Sequence, residues 1–254
     1  TEKSITYLLS LTLSSSIGSV FNYGSQNSGR LVMEITSDLS GPHDQRAELD
    51  WRTEGAWITR ERRAEWICLI GVENTPGSYT AYAPIKPVEQ TLSSRAKAWL
   101  YSPSASFRSP HSPAPDATTW SAPRTVLSRS PLGHTEIAWP GDAVRAARQD
   151  DAIGAGALAE LSSEINRQHV RVSIDAGCLL AFNNLRGVHR QATVSDGYCL
   201  CYKTYARHSL RALQVKGESG PIFCLTEASA SRRDPADFQH PHATGNEPDY
   251  RIPA

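Results

Sequence analysis

Apolar residues in this chain fall mostly in short runs of alternating or continuous hydrophobicity, the signature of strands, and only three stretches keep a helical period. Val170, Val172 and Ile174 alternate with polar residues. Asp175, Ala176 and Gly177 then make a turn, and Cys178 to Phe182 follows as a continuous apolar run, so a hairpin of two strands is predicted. Trp66 to Val72 reads as a buried strand, Ser78 to Ala83 as the next, and Arg30 to Ile35 as an earlier one behind the polar turn Gln26 to Gly29. Ile5, Leu8, Leu9 and Leu13 stand at helical spacing, which predicts a packed N-terminal helix in place of a signal-peptide core that Glu2, Ser and Thr would interrupt. Thr91 to Leu100 is expected to be helical with Leu92, Ala96 and Trp99 inward. So is much of Asp142 to Gln168, where Asp142 is a candidate N-cap, Ala157, Leu158, Leu161 and Ile165 form a stripe, and Gly154 and Gly156 are candidate break points.

Two segments resist this patterning. Ser102 to Pro131 is dense in Pro and Ser, which cannot build regular structure, so a long loop or a lid anchored by Phe107 and Trp120 is expected. The stretch from 229 onward is polar and Pro-containing, and its His240 and His242 read as exposed tail residues. The predicted organisation is one mainly β domain with flanking helices over 1–228, with the loop or lid at 102–131, and a polar tail over 229–254.

Composition narrows the partners. With 39% hydrophobic residues over 254 positions the chain can bury a sizeable core. Its 26 basic and 26 acidic residues cancel, and no basic cluster is longer than Arg60 to Arg63, which argues against nucleic acid or an anionic membrane and for a small-molecule partner. No apolar window approaches the length of a membrane span. Five cysteines, mostly inside apolar runs and without a regular framework, suggest reduced thiols in a cytoplasmic protein; Cys199-Leu200-Cys201 lacks the second ligand pair of a zinc site.

The candidate chemistry lies in two places. Ala176 to Arg190, AGCLLAFNNLRGVHR, runs from a buried strand through Asn183 and Asn184 to His189, and Leu49 to Trp57, LDWRTEGAW, puts Arg52 and Glu54 two apart, on one side of an extended segment. The Asn-Asn-x-Arg-x-x-His stretch resembles the clavaminate synthase-like, arginine or asparagine hydroxylase group of iron(II)/2-oxoglutarate oxygenases, within the taurine dioxygenase superfamily. The resemblance runs from about Ile17 to Arg211. It implies a double-stranded β-helix, or jelly roll, in which His189 is the distal iron ligand and the 52–54 pair, normally His-x-Glu or His-x-Asp, completes a two-histidine, one-carboxylate facial triad.

The resemblance further implies that Thr80 helps hold 2-oxoglutarate. It also implies that the strand after His189 carries two arginines, one for the co-substrate's far carboxylate and one for an amino-acid substrate. Cys199 and Lys203 occupy those two positions, and Gln191 stands where a further arginine follows the histidine. A shift of frame would bring Lys203 or Arg207 to the co-substrate instead. Gly133-His134-Thr135-Glu136 spells the ligand pair in full. Its place is wrong, because the group separates the pair from the distal histidine by the strands that hold the co-substrate, and Glu136 leaves no room for them.

Arg52 therefore replaces the first metal ligand. Arginine stays protonated and offers no lone pair. Held about 4 Å from a dication it would be repelled by roughly 8 kcal/mol at an effective dielectric of 20. Glu54 and His189 remain as the only ligands if metal binds, and two ligands hold iron when an anion fills the third place, whereas here a cation does. The sequence-based expectation is thus an oxygenase-derived enzyme of specialised metabolism acting on an amino-acid-derived small molecule. It would use metal-independent acid/base chemistry (cyclisation, isomerisation, elimination or hydrolysis), with no cofactor, Glu54 and His189 as proton carriers, and Arg52 and Lys203 on carboxylate or carbonyl oxygens. The alternatives are an iron(II)/2-oxoglutarate hydroxylase with an atypical triad, borrowing His43 or His134, and a non-catalytic binding protein.

Overall fold

The computed structural model describes residues 2–24, 29–36, 50–75, 79–108, 120–192, 199–213 and 222–223. Two antiparallel layers face each other. The larger is ordered β10 (Leu179–Asn183), β3 (Trp66–Asn74), β12 (Cys199–Arg207), β1 (Ser19–Tyr23), β13 (Ile222–Phe223), with β2 (Met33–Thr36) also on β12; among the described strands β1 and β13 alone pair in parallel. The smaller is β11 (Gly187–Ala192), β4 (Tyr79–Pro84), β9 (Val170–Val172), and a backbone bridge from Arg52 to His189 extends it past β11. This is the double-stranded β-helix expected from the sequence.

The predicted hairpin does not form. β9 pairs with β4 and β10 with β3, so the Asp175–Gly177 turn carries the chain from one layer to the other. Alternation marks a strand but not the sheet it joins. The crossing is tight: a side chain on Gly71 would collide with the carbonyl oxygens of Ile174 and Asp175, which is why β3 has glycine there. The next turn crosses back, and places His189, a few residues beyond the end of β10, within β11. There Asn183 Oδ1 accepts the backbone N–H groups of Leu185 and Arg186.

Alternation along the central strands sorts the side chains into layers. Ile67 and Leu69 of β3 and Cys199, Cys201 and Tyr205 of β12 face the interlayer core with Phe21, Met33, Ile174 and Phe182. Ile70 and Tyr202 point the other way. Behind the smaller layer, Ala81, Ala83 and Val188 meet α2 (Ile85–Thr91), α3 (Ser94–Leu100) and α4 (Ala152–Gln168) in a second core with Leu92, Ala96, Trp99, Ala157, Leu161 and Ile165. α4 is unbroken, and its cap is Asp151 in place of the expected Asp142: the Asp151 carboxylate accepts the Gly154 N–H. Gly154 lets Trp99 lie against the helix, where a Cβ would strike its indole.

α1 (Glu2–Ile17) forms as predicted but turns the other face inward. Ile5, Leu8, Leu9 and Leu13 are exposed, whereas Ser10 and Ser14 are buried, and the Ser14 and Thr204 hydroxyls hydrogen-bond at 2.5 Å. Small residues let this helix approach the sheet closely; leucines at those positions would hold it off. The described parts of 102–131 include two short strands where only loop is expected. β5 (Ala105–Phe107) pairs with β8 (Val144–Ala146), and β6 (Leu127–Arg129) with β7 (Thr135–Ile137). Phe107 is fully buried in the second core, and Trp120 stacks under Arg145 at 4.1 Å. Residues 109–119, His43 and the 229–254 segment lie outside the described residues.

Candidate active site

The Trp51–Glu54 segment is fixed by backbone on both sides. Arg52 exchanges N–H···O bonds of 2.9 Å with His189, and Thr53 N–H donates to the Trp139 carbonyl. The second asparagine of the Asn-Asn pair then clamps the end of the segment. Asn184, fully buried, accepts the Glu54 N–H at 2.8 Å through Oδ1 and donates through Nδ2 to the Glu54 and Ala64 carbonyls at 3.0 Å. Gly55, at φ +64, turns the chain away immediately afterward. Strand register supplies the opposite wall. His189 and Gln191 of β11 face inward, as do Cys199, Cys201, Lys203 and Tyr205 of β12, so polar side chains meet between the two layers.

Glu54 is the centre of this meeting. Arg52 Nε donates to Oε1 at 3.0 Å, Lys203 Nζ lies 3.6 Å from Oε2, and the Tyr205 hydroxyl donates to Oε2. His189 Nε2 is 3.9 Å from Oε1, and its ring packs on Phe182 at 4.9 Å. Burial works to raise the Glu54 pKa, but Lys203, Arg52, His189 and the Tyr205 hydroxyl together hold it well below the carboxylate range. For His189 burial acts first and Arg52 second, and they outweigh Glu54, pushing its pKa down to about 3. At neutral pH the imidazole is uncharged, and its contact with Glu54 is not an ion pair. Among the described residues its Nδ1, buried, has no hydrogen-bond partner.

The remaining sequence candidates divide. Thr80, opposite Gln191 in the β4–β11 register, lines a cleft with Asn74, Gln191, Cys199 and Cys201, one pleat along from the Glu54 cluster. Arg207 does not reach it. At the far end of β12 its guanidinium pairs with Glu65 at 3.0 Å and donates to the Arg63 carbonyl, an arrangement that ties strand ends together. Arg207 shares the parity of Lys203 but lies two pleat repeats further along β12, where the row has left the pocket. The rival pair is likewise divided: His134 is exposed in the β6–β7 turn, and Glu136 is buried in a two-pronged pair with Arg60 at 2.6 and 2.7 Å. Sequence reasoning misses Tyr205 and the clamping role of Asn184. Tyr205 is within its reach, since strand alternation puts it on the face of Lys203.

The donor set does not complete an iron site. Glu54 and His189 converge, but the third place is taken by the Arg52 guanidinium, on the same carboxylate oxygen that faces His189, while Lys203 and Tyr205 occupy the other. Among the described residues no three of His, Cys, Asp and Glu come together in a metal-binding group.

No family model and no curated protein matches the chain. Solved structures do. An asparagine oxygenase in complex with Fe(II), 2S,3S-3-hydroxyasparagine and succinate superposes with a TM-score of 0.71 at 18% identity, over 87% of this chain and 70% of that one. The non-heme iron oxygenase OrfP with Fe, succinate and (3S)-hydroxy-L-Arg gives 0.69 at 20% identity, over 86% and 69%. OrfP with Fe and alpha-ketoglutaric acid gives 0.67 at 21%, over 82% and 66%. These neighbours overturn the expectation of a cofactor-free scaffold, which rested on Arg52 at the metal-ligand position and Cys199 at the co-substrate anchor: the asparagine oxygenase and OrfP hold iron with succinate or alpha-ketoglutaric acid. The chain thus has the double-stranded β-helix fold of the clavaminate synthase-like oxygenases that its sequence resembles.

Proposed function

We propose that this chain is an enzyme acting on an amino-acid-like small molecule at a site centred on Glu54 and His189. The observation that carries the reading is the buried meeting of a carboxylate, a neutral imidazole and two cations between the layers of a fold whose neighbours are bound to hydroxyasparagine and hydroxyarginine. Arg52 and Lys203 would hold a substrate carboxylate or polarise a carbonyl, and His189, uncharged beside Glu54, would serve as proton carrier once a bound anion draws Arg52 away from it. Thr80 and Gln191 line the adjoining cleft, where the rest of a substrate would lie.

The neighbours favour oxidation as the reaction class, with iron(II) and 2-oxoglutarate as cofactors. Among the described residues of the site, Glu54 and His189 are those that could ligate the metal, which would supply oxygen activation. Loading it requires Arg52 to leave Glu54. We infer a cytoplasmic setting from the absence of disulfides among Cys68, Cys178, Cys199 and Cys201, and no described helix is long and apolar enough to cross a membrane. We assign 1–228 to one domain.

The test is reconstitution with Fe(II) under anaerobic conditions, then 2-oxoglutarate, oxygen and a panel of free amino acids, with succinate and product mass as readouts and a chelated sample alongside. Substrate-dependent succinate with a gain of one oxygen identifies a hydroxylase; turnover that survives chelation identifies acid/base chemistry at the same residues. Absence of both binding and turnover with every amino-acid-like compound in the panel overturns the proposal.

A further inference from the structure

The inner row of β12 begins with two thiols. Cys199 and Cys201, two apart on one face of the strand, bring their sulfurs to 3.5 Å, and both are buried. Gln191 Nε2 donates to Cys199 Sγ at 3.6 Å, and Asn74 Nδ2 lies 4.0 Å from Cys201 Sγ. Next to them the β3–β12 register shifts, with Val72 skipped between the partners of Leu200 and Cys201. Two strand residues span about 6.7 Å, the upper end of the Cα separation a disulfide bridges. The pair lines a small, partly open cleft together with Thr80 and Gln191, the side from which a reagent of about the size of water would approach.

We propose that Cys199 and Cys201 form a redox-reactive dithiol that closes to an intrachain disulfide on meeting a small peroxide. The S–H···S contact and the Gln191 amide, which donates to Cys199 Sγ at 3.6 Å against 4.0 Å from Asn74 to Cys201 Sγ, work against burial to lower the Cys199 thiol, so Cys199 is assigned as the attacking sulfur. Its thiolate attacks hydrogen peroxide: an S–O bond forms, the O–O bond breaks, and the departing hydroxide takes a proton to leave as water. Cys201 then attacks the sulfenic sulfur, the S–O bond breaks, the S–S bond forms, and the second oxygen leaves as water with the Cys201 proton. The pair loses two electrons and the peroxide gains them. The step needs nothing of Glu54 or His189, so it stands or fails apart from the proposed enzyme activity.

The full chain is exposed to hydrogen peroxide, quenched, alkylated and weighed intact. The expected result is a fall in titratable thiols from the five of the sequence to three, with a mass loss of two hydrogens located to the peptide holding both cysteines and reversed by dithiothreitol. Cys201→Ser is expected to stop at a sulfenic acid on Cys199, trapped by dimedone, and Cys199→Ser to show no disulfide. The inference is overturned if the natural chain keeps all its thiols, or if the loss of two persists in either serine variant, which would assign it to another pair. Because the first arm uses the unaltered protein, a variant that fails to fold does not rescue the inference.

Discussion

Two buried carboxylates, each in an x-Glu pair that matches or nearly matches an iron-ligand motif, end in opposite roles. Glu136, in the complete His-x-Glu spelling, is matched by Arg60 through two short parallel bonds, and its histidine points into solvent. Glu54, in the imperfect spelling, is approached from several directions by Arg52, Lys203, Tyr205 and His189, which come from three separate segments. A matched fork fixes a fold; a convergence of groups from distant segments makes a place where a ligand's charge can be exchanged for a protein's. The spelling of a motif is therefore weaker evidence than what the fold brings to it.

The comparison can be broken at the Glu136 end first, where the largest effect is expected. Arg60→Leu strands a carboxylate that is 5% exposed, and because Arg60 itself keeps 31% exposure the cost sits at the low end for a broken buried pair, about 3 kcal/mol. Urea denaturation would show it as a lower midpoint. The double variant Arg60→Leu with Glu136→Leu should recover most of that loss, and ligand binding at Glu54 should be unchanged in both. A double variant as unstable as the single one would mean that the pair does more than neutralise itself.

At the Glu54 end the sharper change is Arg52→His. It replaces the cation on Oε1 with a lone pair and gives the two-histidine, one-carboxylate set, so affinity for Co(II), read by its visible absorption, should rise about a hundredfold, near 2.7 kcal/mol. Unchanged affinity would show that Lys203 and Tyr205, and not Arg52, keep metal from the carboxylate.

Much of this is legible in the chain. The strands, the helices behind the smaller layer, and Glu54 with His189 follow from apolar period and from two motifs. What cannot be read is partnership across sequence distance. Alternation makes β9 and β10 strands but does not say that they belong to different layers. Leucine spacing locates α1 but chooses its outer face, because close approach to a sheet favours serine. Parity puts Arg207 in line with Lys203, while Glu65, from a distant segment, decides where its charge is satisfied. The cofactor-free expectation fails on the same ground: Arg52 and Cys199 speak only for two positions of the chain, while structures of the same fold hold iron with succinate.

The smallest effect separates the two sites by proton linkage. Burial, with Arg52 behind it, holds His189 neutral down to about 3, whereas an unfolded chain protonates the same ring near 6.5. Between those limits the unfolded state binds more protons, so stability must fall as pH falls, by about 1.4 kcal/mol per pH unit once the unfolded ring is charged. The depressed Glu54 acts with the same sign, but only below the ordinary carboxylate value of 4.5, so the interval from 6.5 to 4.5 isolates the imidazole. In His189→Gln the slope over that interval should drop by one proton's worth, measured by urea midpoints at half-unit steps of pH. An unaltered slope would mean that His189 takes up its proton in the folded protein, and a charged imidazole beside Arg52 and Lys203 could not be the base.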